Sequence, residues 1–354
     1  MARWCLILLL AVLLARVSLG QITNVSELDA QDSALFQRGL AAQQSHDLSS
    51  AERDYRAVLA RSPEFLPARF NLGLVLDGEG RTAEALDAFE AVRASNAEFP
   101  AAQMFAGIED LRLGKLGAAL GALKLATEQS PRNLQSWFWL ARADFAAGRP
   151  AEGKEALDKA LSISPDDASS LYLLARYLIS AQDLTGAERI LTGLAARLPR
   201  VPDFHESLGS VYYLEARLDK AEEEYRRQLE VDADNPQAVS MLGVIFLDRG
   251  QAKLAVPYLQ KGLNANPHVA YLQRKMGQAM LESGQTQEGI THLREATVLD
   301  AHDATAHFLL WKAYKLLGQS SEATAELDAF RKLQSEPQPS AGAPATTALG
   351  VGRP

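Results

Sequence analysis

The chain is expected to fold as an all-α solenoid, a stack of antiparallel helix pairs without strands, and three sets of regularly spaced residues predict it. A 34-residue period runs unbroken from Asp32 to about Ser335, and self-similarity at that spacing marks a stacked helical repeat. One phase holds Gly39, Gly73, Gly107, Ala141, Ala175, Gly209, Gly243 and Gly277, with Trp311 in the last place. A second holds Ala51, Ala85, Ala119, Gly153, Ala187, Ala221, Ala255, Gly289 and Ala323, and four residues later a third holds Tyr55, Phe89, Leu123, Leu157, Leu191, Tyr225, Leu259, Leu293 and Leu327. Glycine inside a helix costs roughly 0.5–1 kcal/mol against alanine. Its recurrence at one phase therefore implies that two helices approach closely there and that the larger column fills the space beside the contact.

The first twenty residues stand apart from the repeat. Arg3 precedes a ten-residue apolar run, Cys5 to Leu14, and Ser18 and Gly20 sit at the small-residue positions of a cleavage site before Gln21. This is the order of charge, apolar run and small residues in a signal peptide, and the run is shorter than the roughly 20 apolar residues a bilayer-spanning helix needs. Cleavage between Gly20 and Gln21 removes Cys5, the one cysteine. The exported chain, periplasmic or secreted, is then expected to have neither disulfide nor thiol. Residues 21–31 read as a short leader, and residues 32–334 as the solenoid.

Within the solenoid, Gly80, Gly114, Gly148, Gly250, Gly284 and Gly318 fall between the two small-residue columns. A turn reverses the chain there, and glycine supplies the positive φ that ends the first helix of each pair. Pro63, Pro131, Pro165, Pro199 and Pro267 mark the ends of pairs, and Asn235–Pro236 reads as a helix cap followed by proline in the first turn. Pro257 falls early in a second helix. From Ser335 to Pro354 the chain is rich in Pro, Ala, Gly and Thr with one acid and one base, the composition of a disordered tail.

Composition narrows the partners. The chain carries 36 basic and 44 acidic residues, a formal charge of −8, and loss of Arg3 and Arg16 on processing gives 34 − 44 = −10. Such a surface repels nucleic acid and anionic lipid. No His-Glu-x-x-His, Gly-x-Ser-x-Gly, phosphate-loop or paired-cysteine spacing occurs. Gly78, Gly80 and Arg81 read as a turn between helices, and His302, Asp303 and His307 lack the i, i+4 histidine spacing of a helix-borne metal site. Asn24-Val25-Ser26 is a formal glycosylation sequon. The expectation is a protein that is not an enzyme, with no catalytic residue, no metal and no cofactor.

Leu208, Gly209, Tyr212, Ala221 and Tyr225, then Leu242, Gly243, Phe246, Ala255, Leu259 and Pro267, and earlier Trp137, Leu140, Ala141, Leu157, Ala160 and Pro165, resemble the signature of the tetratricopeptide repeat family. Nine tandem repeats are read, starting at residues 32, 66, 100, 134, 168, 202, 236, 270 and 304. Arg38 and Trp311 depart from the signature in the first and last repeats, where a terminal unit has one neighbour only.

The resemblance implies a right-handed superhelix whose concave face is lined by the first helix of each repeat. The fifth position of that helix runs Phe36, Phe70, Met104, Phe138 and Tyr172, and the ninth places Arg142 and Arg176 beside the last two. These seven residues are the candidate groove: apolar rungs surplus to the core, with two arginines to orient an acidic group. Phe36 and Leu40 occupy the places where family members that clamp a peptide C-terminus have Lys and Asn. The implied function is an exported adaptor or scaffold holding an extended peptide or amphipathic helix of another protein, with no nucleic acid and no membrane span after processing. Two alternatives stand beside it: a self-assembling structural scaffold, and a substrate-recruiting arm for a separate envelope enzyme such as a glycosyltransferase.

Overall fold

The computed structural model describes residues 28–335. The expected signal peptide, residues 21–27 of the leader and residues 336–354 of the tail lie outside them. The described residues form eighteen α-helices and no strand, and they fall into two compact units that divide between Asp166 and Asp167.

The first unit holds four helix pairs: α1 (Ala30–Gln44) with α2 (Leu48–Arg61), α3 (Leu66–Gly78) with α4 (Thr82–Ser95), α5 (Pro100–Arg112) with α6 (Leu116–Gln129), and α7 (Leu134–Ala146) with α8 (Pro150–Ile163). Helix α1 begins ahead of the repeat register because the Asp29 carboxylate accepts the Asp32 N–H at 2.7 Å. The core runs from Phe36 and Tyr55 through Phe70, Phe89 and Phe105 to Leu123 and Ala143.

The second unit holds five pairs: α9 (Ala168–Ser180) with α10 (Leu184–Arg197), α11 (Pro202–Leu214) with α12 (Leu218–Val231), α13 (Pro236–Asp248) with α14 (Ala252–Ala265), α15 (Ala270–Glu282) with α16 (Thr286–Leu299), and α17 (Ala304–Leu316) with α18 (Ser320–Ser335). One cluster centres on Tyr225, Met241, Ile245 and Met276, and a smaller one on Leu293, Leu310 and Tyr314. Asn235 caps α13 by accepting the Ala238 N–H at 2.8 Å, with Pro236 in the first turn. Pro257 sits sixth in α14, beyond the amides that are free at a helix start, so the Lys253 carbonyl has no amide four residues on to accept.

The small-residue columns act within each pair. A Cβ on Gly73 would lie 2.6 Å from the Phe89 ring, and one on Gly107 would lie 2.6 Å from Leu123 Cγ. The third column thus fills the hollow that the first column leaves, both belonging to the same repeat. All six turn glycines have positive φ, between 72° and 85°. The same phase is occupied by His46, Gln182 and Ala216 in the three remaining turns, also at positive φ.

Candidate functional site

The expected rungs do not share one environment. Phe36, Phe70 and Met104 are core residues, only 4%, 3% and 2% exposed, which corrects their reading as groove side chains surplus to the stack. For the two phenylalanines the reason is the next repeat. The residue just before the following first helix closes over the fifth position: Phe65 meets Phe36 edge-on at 5.2 Å, and Phe99 meets Phe70 likewise at 5.2 Å. On the other side Phe70 meets Phe89 of its own pair at 5.5 Å.

Phe138 and Tyr172 are half-buried. On α7, Phe138 and Trp139 pack edge to face at 5.7 Å, and the exposed Arg142 lays its guanidinium 4.4 Å from the Trp139 ring and 5.9 Å from Phe138. A planar cation stacked on aromatic rings is held in orientation. The structure therefore brings Phe138 and Arg142 together and adds Trp139. Trp137 is engaged elsewhere: its indole N–H donates to the Pro131 carbonyl at 2.8 Å.

In the second unit, the Tyr172 ring rests on Phe204 at 5.2 Å and its hydroxyl lies 3.0 Å from Ser207 Oγ. Burial pushes its phenol up to about 12. Burial also raises the Glu206 carboxyl above the ordinary glutamate value, opposed by the 3.1 Å hydrogen bond that Asn235 Nδ2 donates and by the charge of Arg176. The positive field expected to orient a ligand at Arg176 thus already acts on a carboxylate of the chain.

Glu109, absent from the sequence reading, is the most unusual buried group. It is fully buried on α5, its Oε1 accepting from Arg112 Nη1 at 2.8 Å while Oε2 meets no donor. Arg112 is shared with Asp77 of α3. Burial, reinforced by the Asp77 charge, pushes the Glu109 carboxyl up to about 7. Of its eight phase mates, Val75, Ala143, Val211, Ile245, Ala279 and Ala313 are buried and apolar, Ala41 is exposed and Tyr177 half-buried, and the one carboxylate in this column was the available signal.

Among the described residues no group of three or more His, Cys, Asp or Glu is placed to hold a metal ion. Asp303 caps α17 through the Ala306 N–H and pairs with Arg274 at 2.6 Å, and His307 Nδ1 lies 2.6 Å from Glu326. No helix among the described residues is long and apolar enough to cross a membrane.

Two profiles described as tetratricopeptide repeat match the chain, one at residues 110–177 and 144–210, the other at 36–102 and 216–270. The chain is 25% identical over 299 residues to a protein CTR9 homolog of Arabidopsis thaliana, covering 80% of this chain and 27% of that protein. It is 27% identical over 275 residues to cellulose synthase operon protein C of Pseudomonas fluorescens strain SBW25, covering 71% and 21%. The chain thus spans about a quarter of the length of these relatives. Among solved structures it is similar to a tetratricopeptide repeat protein from Parabacteroides merdae, with a TM-score of 0.58 and 15% identity over 71% of this chain and 100% of that one. It is also similar to a chain of the APC/C hetero-tetramer Cut9–Hcn1, with a TM-score of 0.62 and 16% identity over 75% and 52%.

Proposed function

Because the chain belongs to the tetratricopeptide repeat family, whose helix pairs serve as protein-interaction scaffolds, we propose that it is an exported, non-enzymatic adaptor that holds an extended peptide or amphipathic helix of another protein. The observation that carries the peptide-binding reading is the α7 face, where Phe138, Trp139 and the stacked Arg142 offer apolar area beside an oriented cation. Side chains of the ligand insert beside the rings while an acidic group pairs with Arg142. Tyr172 and Arg176 form the corresponding pair on α9. Phe36, Phe70 and Met104 support the fold beneath.

The test is capture of partners by the exported protein from extracts of its source, compared with an Arg142→Glu/Arg176→Glu variant. Loss of the captured protein in the variant, at a temperature where circular dichroism shows both proteins folded, is the expected result. Equal capture by both removes the arginines from the reading. Phe70→Ala is expected to act through stability instead, lowering it by about 3–5 kcal/mol, the usual range for deleting a buried aromatic. The similarity to cellulose synthase operon protein C favours one second reading: an arm that recruits substrate to a separate envelope enzyme such as a glycosyltransferase.

A further inference from the structure

Helix α17 presents an aromatic and basic face on this acidic chain. Between Ala304 and Leu316 it contains no Asp or Glu, and Phe308, Trp311, Lys312 and Lys315 recur at the three- and four-residue spacing of a single helix face. The two rings stand 5.2 Å apart. The Lys312 ammonium lies 5.9 Å from the Phe308 ring and the Lys315 ammonium 5.2 Å from the Trp311 ring. Both lysines are exposed, and among the described residues neither meets a carboxylate. Leu316, 70% exposed, and Leu317 extend the apolar area at the end of the helix.

The neighbouring first helix shows what usually happens to such cations. On α15, Arg274 and Lys275 also lie over an aromatic ring, Tyr271, at 5.2 and 5.7 Å. There Asp303 takes Arg274 at 2.6 Å and Asp248 takes Lys275 at 2.9 Å. Lys312 and Lys315 keep the ring and, among the described residues, lack the carboxylate. Trp311 also breaks the column that is glycine or alanine at every earlier step, which places a large ring where other repeats keep none.

We propose that the α17 face of Phe308, Trp311, Lys312 and Lys315 is a second docking surface, separate from the Phe138–Arg142 site, for an acidic segment of a protein partner. Its carboxylates pair with the two ammonium groups, and its apolar side chains lie on Trp311 and Leu316. Charge complementarity selects a peptide over longer polyanions. Two lysines suffice for two carboxylates, whereas the net charge of −8 opposes a duplex or an anionic bilayer, which would need an extended track of cations.

The experiment uses the full processed chain and a short fluorescent peptide alternating Glu and Leu, followed by anisotropy at low and high salt. The expected result is saturable binding, weakened at least about tenfold by Lys312→Glu/Lys315→Glu and reduced by salt, as exposed charge pairs are. Lys312→Arg/Lys315→Arg should retain binding, and Lys124→Glu/Lys159→Glu, an exposed lysine pair of the first unit, should leave it unchanged. Circular dichroism melts of each variant establish that the fold is intact. Absence of binding, equal affinity of the Lys312→Glu/Lys315→Glu variant, or tighter binding of a phosphatidylglycerol vesicle or duplex DNA overturns the proposal. Self-association abolished by the same two substitutions also overturns it, by assigning the face to a second copy.

Discussion

At the scale of single residues, Glu109 places a carboxylate where neighbouring repeats place Val, Ala or Ile. The groups around it are Asp77 from α3 and Arg112 from its own helix, with Asp110 next in sequence, itself raised by burial and eased by Lys115. One cation is therefore shared between Glu109 and Asp77. With its folded value raised to about 7, Glu109 binds its proton more tightly in the native state than in the unfolded chain. The stability it contributes is complete at low pH and is lost as pH rises from the ordinary glutamate range towards 7. Glu109→Gln keeps the shape without the charge. Thermal melts from pH 5 to 8 should show a flatter pH dependence for the variant and a higher stability at pH 8, by on the order of 1–3 kcal/mol at about 1.4 kcal/mol per pKa unit. Parallel pH profiles for the two proteins would contradict this account.

At the scale of elements, two recurring devices hold the pairs in register. The first is the turn between the two helices of a pair, which needs a left-handed residue at one phase. Glycine adopts that conformation without steric cost, whereas His46, Gln182 and Ala216 adopt it at φ of 61°, 62° and 58° against the clash of Cβ with the backbone, roughly 1–2 kcal/mol. Ala216→Gly should therefore raise stability by up to about 1 kcal/mol, since relief of strain outweighs glycine's entropy in the unfolded chain. Denaturant titration checks it, and a destabilised variant would show that the turn carries no strain. The second device joins successive pairs. Arg69, Gln103, Trp137 and Gln273 each donate from the fourth position of a first helix to the carbonyl six residues back, at Pro63, Ala97, Pro131 and Pro267. His205 Nε2 stands 3.2 Å from the Pro199 carbonyl in the same place. Arginine, glutamine, tryptophan and histidine have in common a side-chain nitrogen that can present an N–H, which is what the turn carbonyl requires.

At the scale of the whole molecule, a stack of repeats gains stability from contacts between sequence neighbours. Within each unit the helices pack on those adjacent in the chain and on the corresponding helix of the next pair. A net charge of −8 favours solubility and leaves the stacked lysines of α17 as a local reversal of sign. The proposed export sets where this charge and these surfaces meet their partners. Intact-mass measurement of the protein recovered from its source should give a chain beginning at Gln21. A mass that retains Cys5 would instead indicate an uncleaved anchor.

The sequence by itself determined where the helices lie, because a 34-residue period with glycine at the turn and small residues at the helix contact is a local pattern, repeated often enough to set its own phase. Gly73 against Phe89 and Gly107 against Leu123 were legible for the same reason, since each pair lies sixteen residues apart inside one repeat. Only the tertiary structure decided which fifth-position side chains remain accessible. Phe36 and Phe70 are covered by Phe65 and Phe99, twenty-nine residues further on, while Phe138 stays half-buried beside Trp139. Periodicity assigns equivalent positions the same role, but burial depends on the side chain the next repeat supplies, and at those crossing points the repeats are not alike. The same limit hid Glu109, whose sequence shows a charged residue and whose neighbours remove it from water.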